Sequence, residues 1–163
     1  QKILCAKFRK GHFEGVLDVM NRLINIILPK IIYMGEKDFQ QHYLVKNYFE
    51  KIYKCKIISC KTIRAKNKVA LSSRNFLLNK RNLNIAGTIS RKLIKLKKKI
   101  SHNKDTSDNL ILNFKEYLTR KFDIKIEYLE VRDIKNLKKN IISKKFKLFI
   151  AYYLNGIRLI DNF

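Results

Sequence analysis

The sequence predicts an α/β fold, part of a doubly wound parallel sheet followed by a small α+β unit, and three patterns carry that prediction. Helical stretches with apolar residues at three- and four-residue steps alternate with two short runs of mostly β-branched and aromatic character, "KIIYM" at 30–34 and "CKIISC" at 55–60. Helix, strand, helix, strand with short links is the order in which parallel strands are joined by crossover helices. After Asn75 the order changes to two helical stretches and then strand-like runs, with "NG" at 155–156 as a hairpin signal. The expected domains are therefore 1–75, carrying the parallel sheet, and 76–163, the α+β unit.

Taken in order, Phe13, Val16, Leu17, Met20, Leu23, Ile24 and Ile27 line one buried stripe of a helix that Gly11 precedes and Pro29 stops. The run at 30–34 is a buried strand. Asp38 is placed to cap the next helix, whose stripe is Phe39, Leu44, Val45, Tyr48, Phe49 and Ile52. "CKIISC" is the second buried strand. Ligands of such sheets bind outside the carboxyl ends of the strands, where "GEKDFQQ" and "TIRAKNKVALSSRN" fall. Helices are expected over about 79–101 and 107–121. In the first, the basic run "RKLIKLKKKISHNK" at 91–104 forms a solvated face behind Ile89, Leu93, Leu96 and Ile100. "IKIEYLEVRD", "KLFIAYYL" and "IRLIDNF" supply the closing strands.

A chain of 163 residues with 46% hydrophobic content fills one ordinary core or two small ones. Its formal charge of +24, from 37 basic and 13 acidic residues, attracts polyanions, so a basic nucleic-acid-binding module is the first alternative. The lysines are spread over almost every segment beside abundant Ile and Asn, which share A/T-rich codons, and no RNP, zinc-finger or GXXG signature accompanies them. No nucleic-acid partner is expected on that ground. Apolar runs such as "LFIAYYL" fall far short of the roughly 20 residues of a membrane span. "QKILCAKFRKGHF" has neither an initiator Met nor a cleavage site and reads as a chain entered part-way. Cys5, Cys55 and Cys60 are expected as reduced thiols in the cytoplasm, and with His12, His42 and His102 they supply no CxxC or HxxxH, so no metal site is expected.

Polar chemistry concentrates in "YMGEKDFQQHYL" at 33–44. Gly35, Glu36, Lys37 and Asp38 sit at the expected strand end, where a close backbone approach, an ammonium and free helix amides suit a phosphate. A plain N-cap beside a solvated lysine explains the same letters. "ALSSRN" at 70–75 offers two hydroxyls, an arginine and an asparagine to phosphates, with Arg74 stabilising charge during transfer. A helix start capped by Ser72 or Ser73 is the alternative. Arg9 and His12 either reach an anion or close a turn, and Asp161 is expected to make local hydrogen bonds in a turn.

The segments "RKGHFEGV", "YMGEKDFQQ", "TIRAKNKVALSSRN", "YLEVRD" and "NGIRLIDN" occur in that order over nearly the whole chain, and together they resemble the pantothenate synthetase family, the ligases of pantoate and β-alanine. The resemblance covers the later part of the family's Rossmann-like, HUP-type nucleotidyltransferase domain and its whole carboxyl-terminal domain. It implies adenylation of pantoate by ATP with Mg2+, release of pyrophosphate, and displacement of AMP by the amine of β-alanine, in a cytoplasmic homodimer. It further implies that Gly35, Glu36, Lys37 and Asp38 form the ATP turn, that Gln41 binds pantoate, and that the backbone of Ile63 meets the adenine side. Leu71, Ser72, Ser73 and Arg74 match the phosphate-side loop, which does the work of the KMSKS loop in class I aminoacyl-tRNA synthetases; Lys37, Ser72, Ser73 and Arg74 are the implied catalytic residues. The family's HxGH signature does not occur in these residues, so the 163-residue chain by itself is expected to be catalytically silent. Lys10 stands for the family's Pro in "RPGHF", and "KTIRAKNKVA" replaces "PTVREADGLA", losing an acid at Ala65 and a turn Gly at Lys68. A related nucleotidyltransferase or synthetase acting on another acid is a further alternative.

Overall fold

The computed structural model describes residues 3–102, 107–139 and 145–163, and its contacts divide the chain into two compact units, Gln1–Thr62 and Ile63–Phe163.

In the first unit the order is α1 (Cys5–Phe8), α2 (His12–Ile27), β1 (Ile31–Gly35), a 3-10 turn (Glu36–Asp38), α3 (Phe39–Ile52) and β2 (Lys56–Cys60). The strands run parallel, Ile31 opposite Lys56 through Gly35 opposite Cys60, with α3 as the crossover the sequence predicts. Gly11 enters α2 in the left-handed region at φ 71°, which glycine adopts without a Cβ clash. At the other end the Leu28 amide donates to the Ile24 carbonyl at 2.8 Å just before Pro29. Ile24, Val45, Phe49 and Ile57 form the core.

Less of this unit is buried than its apolar pattern predicts. On α2 only Phe13 and Ile24 are buried, while Leu23 and Ile27 of the expected stripe are exposed. On β1, expected as a buried strand, Ile31 and Tyr33 are exposed and Ile32 and Met34 half-buried; on β2 only Ile57 is buried. Tyr48 and Ile52 of α3 are exposed as well. Successive strand residues point to opposite faces, so Ile32 and Met34 pack with Ile24, Val45, Phe49 and Ile57 while Ile31 and Tyr33 share the other, exposed face.

The second unit begins with an arm, residues 63–71, and a 3-10 turn (Ser73–Leu77), then α4 (Lys80–His102), α5 (Ser107–Phe122), β3 (Lys125–Asp133), β4 (Phe146–Leu154) and β5 (Ile157–Asn162). The segment 63–75, placed with the first domain by the sequence pattern, makes its described side-chain contacts inside this unit. Among the described residues the sheet is antiparallel in the order β3-β4-β5. Asn155 and Gly156 both take positive φ, 50° and 75°, the turn "NG" predicts. Ile89, Leu93, Leu96 and Ile100 of α4 are buried with Leu118, Leu148 and Ile150, as their spacing predicts. Truncating one of these, Leu93→Ala for example, costs about 2–5 kcal/mol. The basic face of α4 is solvated at Lys95, Lys98 and Lys99; residues 103 and 104 of the predicted run lie outside the described residues. No helix among the described residues is long and apolar enough to cross a membrane.

Candidate functional site

In the first unit the polar turn follows directly from where β1 stops. Gly35 ends the strand at φ −67°, a value any residue adopts, and a Cβ added there meets nothing within 4 Å. The chain's own packing therefore does not demand glycine at this point. Glu36, Lys37 and Asp38 form the 3-10 turn that leads into α3. Asp38 occupies the N-cap position but makes no side-chain cap bond, contrary to the expectation from sequence. Its carboxylate Oδ2 instead accepts from Lys37 Nζ at 3.3 Å, because the 3-10 turn leaves Asp38 at φ −95°, ψ 51° rather than in the extended geometry of a capping residue.

The two adjacent glutamines differ. Gln40 is buried, and both ends of its amide are engaged: Oε1 accepts from the Cys5 amide at 3.0 Å and Nε2 donates to the Ile3 carbonyl at 2.9 Å. Gln41, half-buried, makes no hydrogen bond among the described residues. It is the predicted substrate residue, and it lies within one helical turn of Lys37 and Asp38. Gln40 was not legible as a structural residue, since both letters in "QQ" are equally polar.

His42 is buried with neither ring nitrogen hydrogen-bonded among the described residues, and the Phe39 ring centroid stands 6.0 Å from its own. Burial pushes its pKa below the usual histidine value and Lys46 adds to this, with Glu36 and Glu50 opposing. Arg9 Nη1 and His12 Nε2 lie 2.7 Å apart across Gly11, so this pair closes the entry to α2.

In the second unit, residues 63–71 fold back on themselves. The Leu71 amide donates to the Ile63 carbonyl at 2.9 Å and the Ala65 amide to the Val69 carbonyl at 2.8 Å, with Arg64 and Ala70 in an antiparallel bridge. Lys68 turns the chain at φ 77°, the left-handed region, at the position where the resemblance expects glycine. Ile63 and Leu71 are 72% and 53% exposed, so the pair lies at the surface of the arm. Ser72 Oγ accepts from the Arg74 amide at 3.3 Å and caps the 3-10 turn. Ser73 is exposed and its hydroxyl makes no hydrogen bond among the described residues. Arg74 Nη1 donates to the Arg158 carbonyl at 2.7 Å, and Asn75 Nδ2 to the Ala70 carbonyl at 3.0 Å. The structure thus brings Ile63, Leu71, Ser72, Ser73 and Arg74 onto one short, internally bonded segment.

Arg158 is itself fixed, donating from Nε at 3.0 Å and Nη2 at 2.7 Å to Glu127 Oε2. Burial raises the Glu127 pKa, but the bonds from Arg158 and Tyr153 outweigh it and leave the carboxyl below its ordinary value. The same contact with Glu127, chiefly, raises the Tyr153 phenol. Asp161, expected in a turn, lies in β5 and pairs with Arg64 through two bonds of 2.7 and 2.8 Å. The reason is the hairpin register, which sets Asp161 opposite Ile150 in the sheet and turns its carboxylate toward the arm. Arg64 has no role that the sequence reveals; the only signal is an acid inside an apolar strand run, which needs a cation. No group of three potential metal ligands forms among the described residues. Cys5 and Cys55 are buried thiols and Cys60 an exposed one.

A family model for pantoate-beta-alanine ligase matches residues 1–163. The pantothenate synthetase of Carboxydothermus hydrogenoformans is 32% identical over 164 positions, covering 99% of this chain and 58% of that protein. That of Campylobacter hominis is 34% identical, with 98% and 58% covered. Among solved structures, the pantothenate synthetase of Thermus thermophilus matches with a TM-score of 0.89 at 25% identity, over 99% of this chain and 59% of that one. The pantoate-beta-alanine ligase of Francisella tularensis, solved in complex with β-γ ATP and β-alanine, matches with a TM-score of 0.72 at 33% identity, over 99% and 54%. The chain spans a little under three fifths of the length of these curated relatives, 58% in both. Its mixed α/β architecture with a parallel sheet is the nucleotidyltransferase type of these enzymes. Matched along all of its residues, the chain belongs to the pantoate-beta-alanine ligase family.

Proposed function

We propose that this chain supplies acid-binding and phosphate-binding residues of an enzyme that joins pantoate to β-alanine with ATP, through a pantoyl adenylate. The observation that carries the reading is Gln41, a half-buried amide one helical turn from Lys37 with no hydrogen bond among the described residues, while both ends of the neighbouring Gln40 amide are engaged. The Gln41 amide atoms are not shut away from solvent, so water satisfies them in the free protein and a ligand can take the place of that water.

In the first step a pantoate carboxylate oxygen attacks the α-phosphorus of ATP; the new O–P bond forms as the bond to the bridging oxygen breaks, and pyrophosphate leaves with those electrons. In the second, the β-alanine amine attacks the acyl carbon, the C–N bond replaces the C–O bond to AMP, and the amine loses its proton. Gln41 orients the pantoate. Lys37, tethered to Asp38, neutralises phosphate charge, and Gly35, Glu36 and Asp38 complete that turn. Ser73 and the unengaged edge of Arg74 hold the departing pyrophosphate, while Ser72 keeps their turn in shape. Ile63 and Leu71, both exposed, suit the adenine and phosphate sides. Glu36 and Asp38 are the carboxylates of this turn that would hold magnesium carried in with the nucleotide. Bound there, it would neutralise phosphate charge.

The test is exchange of labelled pyrophosphate into ATP by the whole gene product. Lys37→Ala should reduce pantoate-dependent exchange by about 10²-fold with the circular dichroism unchanged. Exchange at the unsubstituted rate, or exchange driven better by another acid than by pantoate, rejects the reading. So does salt-sensitive binding to duplex DNA or RNA that is tighter than ATP binding. The 163 residues purified by themselves are expected to form no pantothenate, and steady turnover by them would refute that.

A further inference from the structure

One polar junction of the second unit, around Arg64, has no part in the roles above. Arg64 uses all four of its terminal N–H positions: Nη1 donates to Asp161 Oδ2 at 2.7 Å and to the Lys68 carbonyl at 3.0 Å, and Nη2 to Asp161 Oδ1 at 2.8 Å and to the Asn162 carbonyl at 2.9 Å. Its guanidinium also lies over the Phe163 ring, 4.4 Å from the centroid. One planar side chain therefore joins the tip of the arm to the last residues of the sheet. A lysine offers a single ammonium without the fork and cannot make this set.

The arm is fastened from its other side to α4. Asn67 Nδ2 donates to the Leu83 carbonyl at 3.1 Å, and Arg91 Nη1 to the Asn67 carbonyl at 3.2 Å. Gly87 makes room for this, since a Cβ there would stand 2.9 Å from the Asn67 side chain. A glycine inside a helix is unfavourable, and the close approach of Asn67 is a packing reason for it. Downstream, Arg74 rests on the carbonyl of Arg158, in the same strand that carries Asp161.

We infer that Arg64 and Asp161 are positioning residues: their forked ion pair holds the arm 63–71 on the end of β5, so that Ile63, Leu71 and the turn at Ser72–Arg74 are presented to nucleotide in one geometry. The inference rests on the proposed nucleotide role of that segment. Asp161 touches no substrate and acts through Arg64.

Two measurements on the whole gene product separate the inference from the reading beneath it. Amide hydrogen exchange at Ala65 and Leu71 should be about tenfold or more faster in Asp161→Asn, with α4 amides such as Leu93 unchanged. In pyrophosphate exchange the same variant should raise the KM for ATP about tenfold or more and leave the KM for pantoate unchanged. Arg64→Lys, which loses the fork, should shift both readouts in the same direction by at least as much, and decides the matter if Asp161→Asn does not fold. Unchanged exchange at Leu71 overturns the clamp whatever the enzyme does. Faster exchange at Leu71 with both KM values moving together, or neither, overturns the positioning role. If the unsubstituted protein shows no pantoate-dependent activity, the functional reading fails while the amide measurement still decides whether the pair clamps the arm.

Discussion

Arg74 donates through Nη1 to the main-chain oxygen of Arg158 at 2.7 Å, and the rest of its guanidinium makes no hydrogen bond among the described residues. One edge is thus anchored to β5 while the other is available to an anion, an arrangement a planar five-donor group can make and a point charge cannot. Arg74→Lys should therefore lower pantoate-dependent pyrophosphate exchange by about 10²-fold although the charge is kept. A lysine variant as active as the parent would show that charge alone suffices there.

The contrast between Gln40 and Gln41 gives two opposite phenotypes. Gln40→Ala leaves the Cys5 amide and the Ile3 carbonyl without their partner and should cost about 1–3 kcal/mol in urea denaturation. Gln41→Ala should change stability by less than about 0.5 kcal/mol. In kinetics it should raise the KM for pantoate about tenfold, equivalent to about 1.4 kcal/mol, and leave that for ATP alone. Equal weakening of both substrates removes Gln41 from the acid site.

His42 makes stability depend on pH. Its folded pKa is lowered from 6.5, by burial first and by Lys46 next, against Glu36 and Glu50, so near and below pH 6.5 the unfolded chain binds a proton that the folded chain resists. Stability contributed by the neutral ring is present above pH 6.5 and declines as the pH falls below it. His42→Leu, which also removes two unpaired buried nitrogens, should be more stable at pH 7 by about 1–2 kcal/mol and lose less between pH 7 and pH 5. Parallel pH profiles for variant and parent, read by thermal melting, would dismiss the proton linkage.

Lys68 sits at φ 77°. A left-handed conformation costs a non-glycine residue about 1–2 kcal/mol, of which glycine's greater freedom in the unfolded chain returns about 0.4–1. Lys68→Gly should accordingly gain up to about 1.6 kcal/mol in urea denaturation. A loss of stability would mean that the lysine side chain makes a compensating contact.

Element type and order were legible because periodicity reports them directly. The stripe Ile89, Leu93, Leu96 and Ile100 is buried as spaced, and "NG" turns the hairpin. Burial in the first unit was not legible, because periodicity states which face is apolar and not which face a partner covers: Leu23, Ile27 and Tyr33 belong to apolar patterns and stay exposed. Local chemistry was legible by segment rather than by residue.

By itself the sequence determined the alternation of helices and strands, the polar turn after β1, the serine-arginine segment and the family they mark, since each depends on contacts between near neighbours. Only the tertiary structure decided which of two identical side chains is used inside the protein. A helix turns about 100° per residue, so Gln40 faces the core and Gln41 does not. The partner of Arg64 was likewise undecidable from the letters, because Asp161 lies 97 positions away and only the hairpin register brings its carboxylate to the arm.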